Sequence, residues 1–160
     1  MSAPYASEFK PEQSLVLIVD DHPKNLQLLG NVLGEEGYRV AAALNGDQAL
    51  LVARKNMPDL ILLDVMMPKM DGYEVCRTLH ESESMKHVPV IFLTARSSPK
   101  DVMRGFQEGG MDYITKPFHV EEVLARVRVQ LQMRWTREQL RLHNDNLEEL
   151  LEARTQSLIK

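Results

Sequence analysis

The sequence predicts a doubly wound α/β domain over residues 14 to about 130, a parallel sheet with helices on both faces. Three observations carry that reading. Short, continuously apolar segments alternate with amphipathic stretches, each apolar segment stops at a polar residue, and Gly or Pro punctuates the transitions. Five strands alternating with five helices argue for parallel pairing, because each parallel connection needs a crossover long enough to return the chain.

Residues 1 to 13 carry Pro4, Pro11, Ser2 and Ser7 without an apolar period and read as a flexible leader. Leu15 to Val19 is unbroken and β-branched-rich, as in a strand covered on both faces, and it ends at Asp20 and Asp21. After Pro23, Leu26, Leu29, Val32 and Leu33 repeat at helical spacing until Gly34 and Gly37 close the helix. Tyr38 to Leu44 reads as strand two and Gly46 to Asn56 as a helix bearing Ala49, Leu50 and Val52, stopped by Pro58. Leu60 to Leu63 is strand three, ending at Asp64. A Pro- and Gly-containing loop, Met66 to Gly72, precedes a helix through Leu79. Val88 to Leu93 is strand four, ending at Thr94, and a helix from about Pro99 to Glu108 follows. Tyr113 and Ile114 belong to a short fifth strand ending at Thr115 and Lys116, and the final helix starts after Pro117.

Composition narrows the function classes. Lys and Arg number 19 against 23 Asp and Glu, a formal charge of −4, so no broad basic surface recruits nucleic acid or an anionic membrane. The apolar runs fall far short of the roughly 20 residues of a membrane span, and no secretory signal is visible. A lone Cys76 cannot form an internal disulfide, which agrees with a reducing cytoplasm.

The strand ends hold the chemistry. In doubly wound sheets the functional crevice lies outside the carboxyl ends of the strands. Asp20 and Asp21 follow strand one, Asp64 strand three, Thr94 strand four and Lys116 strand five. Three carboxylates brought together repel, and burial raises some of their pKa values unless a cation intervenes. Oxygen ligands favour a hard ion such as Mg²⁺. Cys76 falls on a helix, and the five histidines lack the paired spacings of a zinc site. His22 reads as a solvated helix-start residue, and Asp59 and Asp71 as turn or helix-cap formers.

These residues resemble the receiver domain of two-component response regulators. Val19-Asp20-Asp21, Leu62-Leu63-Asp64-Val65-Met66-Met67-Pro68, Met70-Asp71-Gly72, Thr94-Ala95 and Lys116-Pro117-Phe118 match that family in order and spacing across residues 14 to 130. The resemblance implies a flavodoxin-like strand order 2-1-3-4-5. It also implies a non-enzymatic phosphoacceptor: a histidine kinase or phosphotransfer protein donates a phosphoryl group to Asp64. Mg²⁺ would be held by Asp21 directly, Asp20 through water, Asp64, and the backbone carbonyl of Met66. Lys116 and Thr94 would bind phosphoryl oxygens. Thr94 and Tyr113 would form the switch, the aromatic ring turning into space the hydroxyl vacates. Met66 and Arg96 flank the path of the water that removes the phosphoryl group, and the apolar flank implies slow to moderate self-dephosphorylation.

Residues 131 to 160 outrun such a domain. Helical sequence continues to about Leu158 without Pro or Gly. Val120, Leu124, Val127 and Leu131 form a stripe suited to docking on the sheet, whereas Val129, Met133, Leu140 and Leu147 face another way. Trp135, Leu142 and Leu150 are also candidates for exposure. A parallel coiled-coil homodimer would cover the second stripe, with His143 and Arg154 interrupting its seam, and a solvated helical linker is the alternative. Asn144 to Leu158 resembles connectors that lead from receivers into cyclic-di-nucleotide enzymes or histidine kinases, so an output domain is expected beyond the chain. No helix-turn-helix follows the receiver, and direct DNA binding is not expected.

Three competitors fit less well. Haloacid dehalogenase-type hydrolases need a second acid two residues after the nucleophile, which Asp20-Asp21-His22-Pro23 does not supply. A flavin-binding module needs a phosphate-binding loop where this chain puts two carboxylates. A receiver-like scaffold that is never phosphorylated is the remaining alternative.

Overall fold

The computed structural model describes residues 8–95 and 99–158. Five strands, β1 (Leu15–Val19), β2 (Arg39–Ala43), β3 (Leu60–Asp64), β4 (Val90–Thr94) and β5 (Asp112–Thr115), form one parallel sheet in the order β2-β1-β3-β4-β5. The helices are α1 (Pro23–Glu35), α2 (Gly46–Asn56), α3 (Gly72–His80), α4 (Pro99–Gln107) and α5 (Val120–Leu158). The doubly wound architecture and its strand order are as the sequence and its resemblance imply.

Burial explains the strand composition. β3 and β4 are buried along their whole length and β1 from Val16 onward, so continuous apolar sequence is what both faces require. β2 lies at the edge, which explains an exposed Arg39 and Ala42, while Ala43 at its end is buried. Leu17, Val19, Ile61, Leu63, Val90 and Phe92 pack with Ala49, Ala53, Tyr73, Val75, Cys76 and Leu79 of α2 and α3. Alternation sends Val16, Ile18, Leu60, Leu62, Ile91 and Leu93 to the opposite face, and all are at most 1% exposed.

Caps set the helix starts. Asn45 accepts from the Gln48 amide and Asp71 from the Glu74 amide, each at 2.9 Å. Asp59 accepts from the Leu15 amide at 2.8 Å. Asp71 is thus the cap its sequence position predicts, whereas the Asp59 side chain ties down the start of β1, 44 residues away, instead of a local turn. The leader reading needs one correction: Pro11–Gln13 is a 3-10 turn closed by the Ser14 amide on the Pro11 carbonyl at 2.9 Å. Proline at its first position is preset for such a turn.

Lys10–Leu131 forms one compact unit, and the described residues from Gln132 onward belong to another. Within the first unit, Val123, Val127 and Leu131 are the buried stripe of α5. Val120 is 43% exposed, not docked as its spacing predicts, and Leu124 is half-buried. Val120 is the first residue of the helix, and the stripe keeps its phase by substituting Val123, four residues before Val127. In the second unit Met133, Leu140, Leu147, Leu150 and Leu151 are exposed, as is Leu142, whereas Trp135 is half-buried.

Candidate functional site

The sheet register assembles the site. Val19 pairs with Leu63, so Asp20 and Asp64 come level at the ends of adjacent strands. Asp64 pairs with Leu93, which sets Thr94 one step further on the neighbouring strand, and Thr94 pairs with Thr115, one residue before Lys116. The Lys116 amide then donates to the Thr94 carbonyl at 2.8 Å. The Lys116–Pro117 peptide is cis.

The Lys116 ammonium lies 3.1 Å from Oδ2 of Asp64 and 3.3 Å from Oδ2 of Asp20. Asp20 is fully buried and heavily committed. Its Oδ1 accepts from the His22 amide at 2.9 Å, and its Oδ2 accepts from the Asn25 side-chain amide at 3.0 Å. Burial pushes its carboxyl upward, but the His22 amide, Lys116, Asn25 and the His22 ring outweigh that and hold it below the usual carboxylate range. Asp64 is less well compensated. Burial first, then the charge of Asp20, raise it to about 6 against the opposing pull of Lys116 and the Met66 amide, which donates to Oδ1 at 3.2 Å. One acid is thus a fixed anion and its neighbour is an anion held under stress.

Among the described residues, one ligand atom from each of Asp20, Asp21, His22 and Asp64 can gather within 4.8 Å of the others. Oδ1 of Asp21 and Oδ2 of Asp64 are buried yet accept no aligned hydrogen bond. Carboxylate oxygens grouped this closely, with only Lys116 and the His22 ring beside them, fit a hard dication better than a soft one.

Every described residue predicted for the pocket sits at this end of the sheet. Thr94 is 2% exposed at the end of β4, and the Met66 side chain is 63% exposed while its amide serves Asp64. Arg96 lies outside the described residues. Tyr113 bonds elsewhere: its hydroxyl donates to the Asp101 carbonyl of α4.

Sequence reasoning missed three contributors. The His22 ring, exposed as expected of a helix start, also brings Nδ1 within 3.2 Å of Asp20 and 3.1 Å of Asp21. Asn25, five residues after Asp20, carries no local signal. Gly72 is required by close approach: a Cβ there would stand 2.4 Å from the Asp64 carbonyl oxygen. Its place directly after the Asp71 cap was the available clue.

Residues 16–128 match the family model of the response regulator receiver domain. The chain belongs to the response regulator receiver family. It is 43% identical to response regulator PleD of Caulobacter vibrioides over 113 residues, 71% of this chain and 25% of that protein. It is 45% identical to the DNA-binding dual master transcriptional regulator RpaA of Synechocystis over 116 residues, 72% of this chain and 48% of that one. A probable cyclic di-GMP phosphodiesterase of Vibrio cholerae shares 40% over 136 residues, 85% of this chain and 31% of that protein. This receiver chain therefore spans between about a quarter and a half of the length of these relatives. Among solved structures, chemotaxis protein CheY4 of Vibrio cholerae superposes with a TM-score of 0.70 at 33% identity, covering 72% of this chain and 96% of that one. A putative response regulator of Chloroflexus aurantiacus gives 0.71 at 36%, covering 74% and 97%. Phosphoacceptor signalling in two-component systems is the work of receivers, which interact with histidine kinases or phosphotransfer proteins and bind Mg²⁺ at their acidic pocket. Among the described residues of this receiver, no helix is long and apolar enough to cross a membrane.

Proposed function

We propose that Asp64 is the phosphoacceptor of a Mg²⁺-dependent transfer from a histidine kinase or phosphotransfer protein in the cytoplasm. The observation that carries this is the Lys116 ammonium 3.1 Å from Oδ2 of the buried Asp64, at the strand end where the acids converge. In the transfer, the P–N bond of a phosphohistidine breaks, the electron pair leaves with the imidazole, and a P–O bond forms to Asp64. Catalysis of such a step is mostly positioning and charge stabilisation. Lys116 offsets charge on one phosphoryl oxygen and the Thr94 hydroxyl donates to another. Asp21 would ligate Mg²⁺ directly, Asp20 through water, with Asp64 and the Met66 carbonyl completing the protein ligands. The ion, when bound, supplies positive charge among the three acids. Raised toward 6, the Asp64 carboxylate keeps its nucleophilic electron pair poorly satisfied until the phosphoryl group arrives.

The switch is assigned to Thr94 and Tyr113, and Met66 and Arg96 to control of hydrolysis, with a phosphoaspartate lifetime longer than seconds. The exposed leucines of α5 support homodimerisation through that helix, and the greater length of the relatives supports an output domain under its control. Phosphorylation would then act on the dimer or on that domain.

Incubation with acetyl phosphate and Mg²⁺, followed by intact-mass measurement, tests the reading. A Mg²⁺-dependent gain of one phosphoryl group, absent in Asp64→Asn and much slower in Lys116→Met, is the expected result. An unmodified wild-type chain would favour the unphosphorylated scaffold.

A further inference from the structure

Tyr113 shares its α4 acceptor with a second aromatic hydroxyl. Tyr73, the second residue of α3, is 4% exposed and its hydroxyl donates to the Asp101 carbonyl at 3.2 Å. Tyr113 donates to the same carbonyl from β5, and the two hydroxyl oxygens stand 3.4 Å apart. A carbonyl oxygen has two lone pairs and accepts both. Asp101 belongs to the first turn of α4, so both tyrosines grip the same end of that helix.

The rest of the surroundings shapes this into a clamp. Phe92 packs against both rings, with centroids 5.0 Å from Tyr73 and 5.6 Å from Tyr113. Gly105 leaves the room: a Cβ there would overlap the Tyr113 hydroxyl. Arg104 of α4 sits 4.6 Å over the Tyr73 ring and 3.9 Å from Oδ2 of Asp71. Tyr73 also follows Gly72, whose amide donates to the Val65 carbonyl at 2.9 Å, one residue beyond Asp64. A short covalent and hydrogen-bonded route therefore runs from the acceptor through α3 to α4 and does not pass through Thr94.

We propose that Tyr73 is a positioning residue for switching: its hydroxyl holds the first turn of α4 to α3 in the unphosphorylated receiver, sharing the Asp101 carbonyl with Tyr113. This rests on the assignment of Tyr113 to the switch. Activation that moves Tyr113 leaves the Tyr73 hydroxyl on that carbonyl, so Tyr73 opposes release of α4 and raises what phosphoryl binding must overcome.

Tyr73→Phe removes the hydroxyl and keeps the ring against Phe92. In the whole chain, beryllofluoride affinity at saturating Mg²⁺ is measured by calorimetry for wild type, Tyr73→Phe, Tyr113→Phe and the double variant. Amide exchange at residues 101–105 is followed by NMR without the mimic. Loss of one hydrogen bond from the resting state predicts about two- to tenfold tighter beryllofluoride binding in Tyr73→Phe. It also predicts faster exchange in α4 and a non-additive double variant. Unchanged affinity in Tyr73→Phe, with a shift in Tyr113→Phe, overturns the proposal and leaves the switch assignment standing. No shift in either variant overturns both.

Discussion

The ammonium of Lys116 bridges two carboxylates whose acidities diverge: Asp20 is held low and Asp64 is raised, although both face the same amine at 3.3 and 3.1 Å. The difference lies in their other partners. Asp20 takes hydrogen bonds from His22 and Asn25, whereas Asp64 has the Met66 amide and a repelling Asp20. A single lysine divided between two acids leaves one of them undercompensated, and that one is where an added cation or phosphoryl group changes most.

This gives a pH dependence. The folded pKa of Asp64, about 6, lies above its ordinary 3.8, so the native state binds the extra proton between those values. Its contribution to stability is therefore present at low pH and is lost as pH rises through about 4 to 6. In metal-free buffer, Asp64→Asn should be more stable than wild type above pH 6, by on the order of 2 kcal/mol, and the gain should shrink to nothing below pH 4. Asp20 has the opposite sign, its stabilisation disappearing as pH falls below 3.8 through its lowered pKa. Chemical denaturation of wild type and Asp64→Asn from pH 4 to 8 checks that the two stabilities converge as pH falls.

Gly72 predicts a localised packing defect. A Cβ would meet the Asp64 carbonyl oxygen at 2.4 Å and the Val65 Cα at 2.9 Å, backbone atoms that cannot turn aside. Gly72→Ala should cost about 1–3 kcal/mol and slow phosphorylation from acetyl phosphate, because the acceptor strand must shift. A melt and a phosphorylation rate indistinguishable from wild type would contradict the close approach.

Cys76 should be chemically silent in the native protein. It is fully buried, its thiol donates to the Glu108 carbonyl at 3.2 Å, and burial and Glu108 push it up to about 12. At pH 8 this leaves about a thousandfold less thiolate than an ordinary cysteine. A thiol-disulfide reagent should label the thiol in guanidinium and not in native buffer.

The tail predicts an oligomer. Leu140 and Leu147 are 57% and 45% exposed on α5. Light scattering should give twice the 18.3 kDa chain mass for wild type. Leu140→Glu with Leu147→Glu should give a monomer whose Asp64 chemistry is unchanged, since both residues lie outside Lys10–Leu131.

The sheet was legible because fully buried parallel strands leave an unmistakable record: Leu15 to Val19 and Leu60 to Leu63 offer no polar face. The acids, Thr94 and Lys116 were legible because strand ends converge in this topology. Partner choice was not. Asn25 reaches Asp20 only because α1 turns back over the end of β1, and nothing in the local pattern announces it. The phase of α5 was misread at Val120 because spacing gives the angle between residues but not which of them begins the helix. The pairing of Tyr73 with Tyr113 joins residues 40 apart and needs three dimensions to appear.

The amide of Lys116 donates to the Thr94 carbonyl at 2.8 Å while its side chain ends among the acids. That one proton sits in the main chain of the residue that senses charge, three positions beyond the ring assigned to respond. Its replacement by deuterium is thus a built-in gauge at the seam between chemistry and motion, readable in the intact chain without an attached dye.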